Sequence, residues 1–187
     1  MYDLYNSKWS NSAKLNAKDS FTGDRFGTSI ALHNNKIVSG SYTDDDDGFS
    51  SGSAYIFKRP SSASAHWTQL TKLVASNAGG GQFFGRSVAI SAFNNAEYVL
   101  VGCYGDDDIH IDHDSGSVFV FQPNAADKWS QQMRLKPSDG KRGDYFGYSV
   151  AMYKDKFAVG AYGYDYDANI LSSGVLDTYT GNYLTYF

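Results

Sequence analysis

The 187-residue sequence contains one cysteine, three prolines and a single glutamate. Because Cys103 has no second thiol in the chain, no internal disulfide can stabilise the fold. No hydrophobic run reaches the roughly 18 residues that a membrane-spanning helix needs. The first ten residues also lack the basic start and apolar centre of a signal peptide. These absences favour a soluble chain whose fold depends on side-chain packing.

The acidic residues are unusual in kind, since nineteen aspartates accompany the one glutamate, Glu97. Aspartate favours turns and caps whereas glutamate favours helices, so the acidic charge is expected in loops. Tyrosine and phenylalanine together supply 27 residues and glycine 19, a composition typical of a β-rich fold with tight turns. The net charge of −4 and the lack of basic clusters argue against nucleic-acid binding.

A threefold repeat organises the chain. Its clearest copy runs from Asp144 to Gly163, and related copies lie 62 and 120 residues closer to the N-terminus, each built around a Phe-Gly pair. The pairs are Phe26-Gly27, Phe84-Gly85 and Phe146-Gly147, and the tryptophans that stand 17 residues before each phenylalanine are Trp9, Trp67 and Trp129. A period of this size indicates an array of supersecondary units. We therefore interpret residues 1–187 as one array with repeats at about 9–59, 67–122 and 129–179.

Each repeat contains four short apolar segments separated by turn residues. In the third repeat they are Trp129 to Leu135, Phe146 to Met152, Phe157 to Ala161 and Val175 to Tyr179. Alternation of apolar and polar residues predicts half-buried strands, and the short connections between segments predict hairpins. The sequence thus predicts an all-β fold, a β-propeller-type array of four-stranded antiparallel blades with about three blades present.

Three blades are too few to close a propeller, which typically has four to eight. The segment at Trp9 is typical of an outermost strand, and the last predicted strand is the third of its blade. We therefore expect an incomplete or oligomer-completed propeller. Either the chain is a piece of a longer array, or two copies assemble into about six blades with self-association through open strand edges.

The motifs of the repeat resemble those of the FG-GAP repeat family, which forms the blades of integrin α-subunit propellers. Its Phe-Gly signature is intact three times, and its second signature is partial, with tyrosine in place of proline. The partial copies are Gly40-Ser41, Gly102-Cys103 and Gly160-Ala161, and a shared Ser-Gly pair stands at Ser51-Gly52, Ser115-Gly116 and Ser173-Gly174. The resemblance covers residues 9 to 179.

This resemblance implies a non-enzymatic recognition or adhesion module, extracellular or at the cell surface, that binds a protein or glycan ligand through loops on one face. No catalytic motif is present, and no phosphate-binding loop precedes a helix. Two alternatives remain: an accessory propeller fragment of a larger extracellular hydrolase or lyase, and a purely structural repeat spacer. Fold alone does not decide among them.

The family's calcium loop lies between the Phe-Gly strand and the next strand, but here those positions lack the ligands. Eleven of the twenty acidic residues lie instead in the following connection of each repeat, on what should be one face of the array. Alternate oxygen ligands are what a calcium loop needs. The candidate Ca²⁺ ligands are Asp44, Asp46, Asp106, Asp108, Asp165, Asp167 and Asn169. Solvated acidic turns are the alternative interpretation.

Overall fold

The structure is a computed structural model that describes residues 2–5, 8–11, 13–60, 66–107, 114–165 and 174–180. Every regular element in these ranges is a β-strand, which confirms the all-β prediction. The strands are β1 (Tyr2–Tyr5), β2 (Lys8–Asn11), β3 (Ile30–His33), β4 (Lys36–Ser41), β5 (Ser53–Lys58), β6 (Thr68–Leu73), β7 (Phe84–Phe93), β8 (Ala96–Cys103), β9 (Ser117–Pro123), β10 (Trp129–Leu135), β11 (Phe146–Tyr153), β12 (Lys156–Ala161) and β13 (Val175–Thr180). No helix of the described residues is long and apolar enough to cross a membrane.

The strands form three blade-like antiparallel sheets and a separate β1-β2 pair. The first sheet has the order β3-β4-β5-β6, the second β7-β8-β9-β10 and the third β11-β12-β13. The first sheet packs against the second through β3, β4 and β7, and the second against the third through β7, β8 and β11. These successive contacts make an open array of blades, as the sequence predicts, and the described strands form no closed barrel.

The repeat in the sequence and the sheet in the structure are offset by one strand. The strand that follows Trp67, β6, pairs with β5 of the first repeat, and the Trp129 strand, β10, pairs with β9 of the second repeat. The strands at Trp67 and Trp129 therefore complete the sheet of the repeat before them, whereas β2, which contains Trp9, pairs with β1. The segments proposed as four strands of one repeat are thus divided between two neighbouring sheets.

Two-residue hairpins connect the first and second strands of each sheet. Their register pairs His33 with Lys36, Phe93 with Ala96 and Tyr153 with Lys156. The turn residues Asn94 and Asn95 have φ values of 49° and 63°. Asparagine tolerates this left-handed conformation, which matches the twist of an antiparallel pair. The hairpins lie at the opposite end of the sheets from the Phe-Gly pairs.

Two of the three Phe-Gly phenylalanines pack between sheets. Phe84 and Phe146 are fully buried, and the Phe84 ring makes edge-to-face contacts with Phe119 and Phe121 at centroid distances of 5.5 and 6.0 Å. Phe26 makes the corresponding contacts in the first sheet but is only half-buried. Burying such a ring contributes about 2–3 kcal/mol.

Trp67 and Trp129 pack at the edges of these cores. Trp9 lies in β2, and its side chain is outside the described part of the chain.

A close backbone approach locks one sheet to the next. The Ser87 hydroxyl donates to the carbonyl of Gly147 in the neighbouring sheet at 2.8 Å. A Cβ built on Gly102 would lie 1.9 Å from the same carbonyl oxygen. Only glycine fits at this position, because any side chain would overlap the backbone of the next sheet.

The first and second sheets repeat this lock with the same types of residue. Ser29 donates to the Gly85 carbonyl at 2.8 Å, and a Cβ on Gly40 would lie 1.8 Å from that oxygen. Phe84 also donates its N–H to the carbonyl of Ser51 at 3.0 Å, as Phe146 does to Ser115 at 2.9 Å. The Phe-Gly, Gly and Ser-Gly signatures are therefore three parts of one inter-sheet contact.

The single glutamate also joins two sheets. The Lys36 Nζ in β4 lies 2.7 Å from the Glu97 Oε2 in β8, and Lys36 is only 5% exposed. A buried ammonium needs a partner because the loss of its hydration is costly. This ion pair lies at the hairpin end of the first inter-sheet contact, opposite the glycine lock.

We expect Gly102→Ala to lower the free energy of unfolding by about 3 kcal/mol, because the added methyl overlaps the Gly147 carbonyl. Urea denaturation measures the change. Gly79→Ala is the matched control, since no atom lies closer than 3.9 Å to its Cβ position, and it should change stability by less than about 0.5 kcal/mol. Equal effects of the two substitutions on stability would contradict the close approach of Gly102 to the Gly147 carbonyl.

We expect Glu97→Gln to lower the free energy of unfolding by about 2 kcal/mol, because it leaves the buried Lys36 ammonium without a carboxylate. Denaturation curves at neutral pH test this. The control is Asp155→Asn, which removes an ion pair to the exposed Lys156 and should leave the unfolding midpoint unchanged. An unchanged free energy of unfolding in Glu97→Gln would show that the ion pair does not stabilise the inter-sheet contact.

Candidate binding face

The acidic loops and the Phe-Gly pairs meet at one end of the sheets. The register pairs Phe84 with Cys103 and Phe146 with Ala161. The residues just before each Phe-Gly pair therefore lie beside the loop that follows the second strand. Together these segments form one face, opposite the hairpins, and it contains the described candidate site residues.

In the first acidic loop a lysine side chain holds the carboxylates. The Lys72 Nζ lies 3.0 Å from Asp44 Oδ2, 2.5 Å from Asp46 Oδ2 and 3.1 Å from Asp19 Oδ2. Tyr55 donates its hydroxyl to Asp44 Oδ2 at 2.8 Å. The structure thus brings Asp44 and Asp46 together, with the Lys72 ammonium between them.

These contacts set the protonation state of the cluster. Burial by itself raises the pKa of Asp44, but the hydrogen bonds from Tyr55, the Asp46 backbone and Lys72 outweigh it and leave that pKa below its ordinary value. Burial lowers the pKa of Lys72, yet its bonds to Asp46 and Asp44 raise it overall. Asp44 is therefore a carboxylate and Lys72 an ammonium at neutral pH.

The second loop uses an arginine at the equivalent position. Asp106 is fully buried, and its Oδ2 accepts from the Arg134 Nε at 2.7 Å. Its Oδ1 accepts from the side-chain amides of Asn77 at 3.0 Å and Gln82 at 3.2 Å. This carboxylate is fixed by charge-assisted hydrogen bonds on both oxygens. Asp108 lies outside the described residues.

In the third repeat, Tyr164 stands at the position of Asp44 and Asp106 and donates its hydroxyl to Asp139 at 2.9 Å. Burial raises the pKa of Asp144, and the charges of Asp165 and Asp139 raise it further. Asp165 therefore lies among other carboxylates. Asp167 and Asn169 fall outside the described residues. Among the residues the structure describes, no three His, Cys, Asp or Glu side chains form a metal-binding group.

A row of aromatic side chains crosses the same face, and sequence reasoning missed it. The Phe83 ring stacks on Tyr104 at 4.8 Å with an interplanar angle of 2°, and Tyr145 stacks on Tyr162 at 5.0 Å and 9°. Edge-to-face contacts join Tyr104 to Tyr145 and Tyr162 to Tyr148. The aromatic strip consists of Tyr42, Phe83, Tyr104, Tyr145, Tyr148 and Tyr162, with Arg25 and Arg86.

Two arginines extend the strip along the array. The Arg86 guanidinium lies 4.1 Å from the centroid of the Tyr148 ring and donates to the Tyr148 hydroxyl at 2.7 Å. Arg25 takes the position that an aromatic occupies in the other repeats, and it donates to the hydroxyl of Tyr42. Such contacts between a cation and a ring contribute about 0.5–1 kcal/mol when exposed.

The residue before each Phe-Gly pair reaches the strip through an uncommon backbone conformation. Arg25, Phe83 and Tyr145 have φ values of 55°, 58° and 56°. A left-handed φ in a bulky residue costs about 1–3 kcal/mol and often marks a functional site. The sequence signal for the strip was a tyrosine after each Gly-x pair and an aromatic before two of the three Phe-Gly pairs.

Cys103 is a structural thiol. It is fully buried, its Sγ lies 3.2 Å from the Gln82 carbonyl oxygen, and burial raises its pKa well above the ordinary value. Reactive cysteines are exposed thiolates, whereas burial keeps this thiol protonated.

We expect Asp44→Asn to destabilise the protein most at pH above about 5, because the lowered pKa of Asp44 adds stability only while the carboxylate is ionised. That stability begins to fall near the ordinary value of 3.8, where the carboxyl of the unfolded chain takes up a proton, and is lost as the pH passes below the lowered pKa of the folded state. The difference between variant and wild type should therefore shrink towards pH 3 in urea denaturation. The exposed Asp47→Asn serves as the control, and a difference that is constant with pH would contradict the prediction.

Comparison with known proteins supports the repeat assignment. A family model described as FG-GAP repeat matches residues 9–57, 67–121 and 129–175. These three matches contain the Phe-Gly pairs and the acidic loops of the candidate face. No curated protein matches the chain.

Proposed function

Because the chain belongs to the FG-GAP repeat family, we propose that it is a recognition or adhesion module that binds a protein or glycan ligand through the face carrying the aromatic strip. The strip is the observation that carries this proposal. The family is typically non-catalytic and typically extracellular, and both properties suit a module that presents a fixed surface to a ligand.

The composition of the aromatic strip suits recognition. Tyrosine and arginine are enriched at the energetically important positions of interfaces, because each offers a large contact area together with polar groups. Burial and the neighbouring Tyr42 raise the pKa of Tyr104 to about 12. Burial, with Tyr145 and Tyr148, also raises the pKa of Tyr162. Their hydroxyls therefore stay protonated and can donate hydrogen bonds to a ligand at neutral pH.

The strip is held in place before any ligand arrives. Its rings stack in pairs within the second and third sheets and meet edge-to-face across the boundary between them, so few side-chain rotamers remain to be frozen on binding. Beside it, Lys72 and Arg134 fix the loops that contain Asp44 and Asp106. A surface with this degree of preorganisation loses less entropy when it binds.

In this proposal, calcium binds at the third acidic loop and assists ligand binding. The first two loops balance their buried carboxylates with a lysine or an arginine, whereas the third brings Asp139, Asp144 and Asp165 close enough to raise the pKa of Asp144. A divalent cation relieves such repulsion, and hard oxygen donors favour calcium. Asp165, Asp167 and Asn169 would supply ligands, with weak affinity of about 0.1–1 mM as in extracellular modules.

The ligand proposal is tested with labelled protein on a glycan microarray and on immobilised extracellular-matrix proteins. We expect at least one positive glycan or protein, and the double variant Tyr148→Ala, Tyr162→Ala should weaken its binding about tenfold or more, equivalent to about 1.4 kcal/mol. Phe49→Ser is the matched control, because Phe49 is 80% exposed on the same side of the first sheet but belongs to no ring contact of the strip. Binding that survives the double variant would refute the role of the strip.

The calcium proposal is tested by thermal unfolding with about 5 mM calcium, with the same magnesium concentration and with chelator, at ionic strength high enough to screen surface charge. At a tenfold excess over the dissociation constant, calcium should stabilise the fold by about 1.4 kcal/mol and raise the melting temperature. Asp165→Asn with Asp167→Asn should reduce the shift, and Asp45→Asn should not. An equal effect of magnesium, or no effect of either ion, would show that the loop is a solvated turn.

A further inference from the structure

The aromatic strip carries positive charge that no carboxylate of the described chain neutralises. Arg86 donates to the Tyr148 hydroxyl and Arg25 to the Tyr42 hydroxyl. Neither guanidinium forms an ion pair with any residue that the structure describes. On the basis of the function proposed above for the strip, we propose that these guanidiniums bind the carboxylate or sulfate groups of an acidic glycan.

Arg86 is the centre of this anion site. It lies in β7 of the second sheet, between Tyr42 of the first sheet and Tyr148 of the third. Its guanidinium carbon lies 4.1 Å from the centroid of the Tyr148 ring and 5.8 Å from that of Tyr42. Its surroundings are therefore those of an interior blade, with a neighbouring sheet on either side.

The other half-buried cations of this face show how unusual Arg86 is. The Lys72 Nζ lies 3.0 Å from the Asp44 carboxylate, and the Arg134 Nε donates to Asp106 at 2.7 Å. Arg86 lies instead against tyrosine rings, and its one described side-chain hydrogen bond leaves most of its five N–H donors without an acceptor. Those donors form a fork that matches the two oxygens of a carboxylate.

The tyrosine hydroxyls beside the arginines add two further donors. The Tyr148 oxygen accepts from Arg86 at 2.7 Å, and the Tyr42 oxygen accepts from Arg25. A hydroxyl oxygen that accepts from an N–H turns its own proton elsewhere, and neither hydroxyl donates to an acceptor in the part of the chain that the structure describes. An oxyanion ligand supplies acceptors to the guanidinium and to a hydroxyl together.

The exposed carboxylates nearby favour a glycan over an acidic peptide. Asp45 and Asp47 are exposed, and their loop begins two residues after Tyr42. They repel a ligand whose acidic groups are contiguous, as in an acidic peptide segment. A glycan separates its anionic groups by neutral units rich in hydroxyls, and a hydroxyl donates to a carboxylate. Separate cations beside exposed carboxylates therefore suit an acidic glycan with spaced charges.

Surface plasmon resonance tests the proposal with the purified chain on four immobilised glycans. Hyaluronan carries carboxylates only, and carboxyl-reduced hyaluronan is its neutral counterpart. Dextran sulfate carries sulfates only, and dextran is its neutral counterpart. We expect binding to at least one acidic glycan, about tenfold or more weaker binding to its neutral counterpart, and weaker binding as salt is added. The two acidic glycans distinguish carboxylate from sulfate recognition.

Substitutions at Arg86 separate a built site from general attraction between charges. Arg86→Gln should weaken binding about tenfold or more. Arg86→Lys keeps the charge but loses the planar fork, so it should also weaken binding, whereas general attraction would leave binding unchanged. Tyr148→Phe keeps the ring and should weaken binding through loss of one donor. Lys128→Gln is the control, because it removes the same charge from an exposed position at the hairpin end.

Equal binding of acidic and neutral glycans overturns the proposal, as does wild-type affinity in Arg86→Gln. Stronger binding to immobilised polyglutamate than to either acidic glycan overturns it too, since it indicates an acidic protein ligand. Absence of binding to both acidic glycans also refutes it. In each case the recognition function survives if Tyr148→Ala with Tyr162→Ala still weakens binding of another ligand, and it fails as well if no ligand depends on the strip.

Discussion

The approach of one sheet's backbone to the next at Gly40 and Gly102 is the constraint on which the rest of the structure depends. A Cβ built on Gly40 or Gly102 would lie 1.8 or 1.9 Å from a carbonyl oxygen of the next sheet. The two backbones are therefore closer than they could be if either position carried a side chain. The approach also positions the serine hydroxyl that satisfies the carbonyl. The burial of Phe84 and Phe146 between neighbouring sheets goes with this close spacing.

The charges on the candidate face are organised in the same repeated manner. Lys72 and Arg134 hold the same position in successive sheets, and each neutralises the carboxylate that begins the acidic loop beside it. Internal cations therefore hold the first two loops in shape. The aromatic strip next to them depends on this rigidity, because Tyr42 and Tyr104 lie two residues before Asp44 and Asp106.

Much of the fold could be predicted from the sequence, because the Phe-Gly, Gly and Ser-Gly signatures recur with every repeat and alternation marks the strands. The offset of the tryptophan strands could not be predicted. The connections before and after Thr68–Leu73 have similar lengths, so spacing does not show which sheet this strand joins. The ion pairs at Asp44 and Asp106 could not be predicted for another reason. Lys72 and Arg134 lie 28 residues away in sequence, and only the pairing of strands brings them to the aspartates. Metal binding at Asp165 stays a prediction.

The offset strand also bears on how such an array can grow by gene duplication. The second and third repeats each give a tryptophan strand to the sheet before them, and the first and second sheets each receive one. A duplicated segment of one repeat length therefore restores complete sheets wherever its boundary falls within the repeat, because the strand it gives away is replaced by an equivalent one. The boundary of a duplicated segment therefore need not coincide with the boundary of a blade. The number of blades can change without passing through a form in which one sheet lacks a strand.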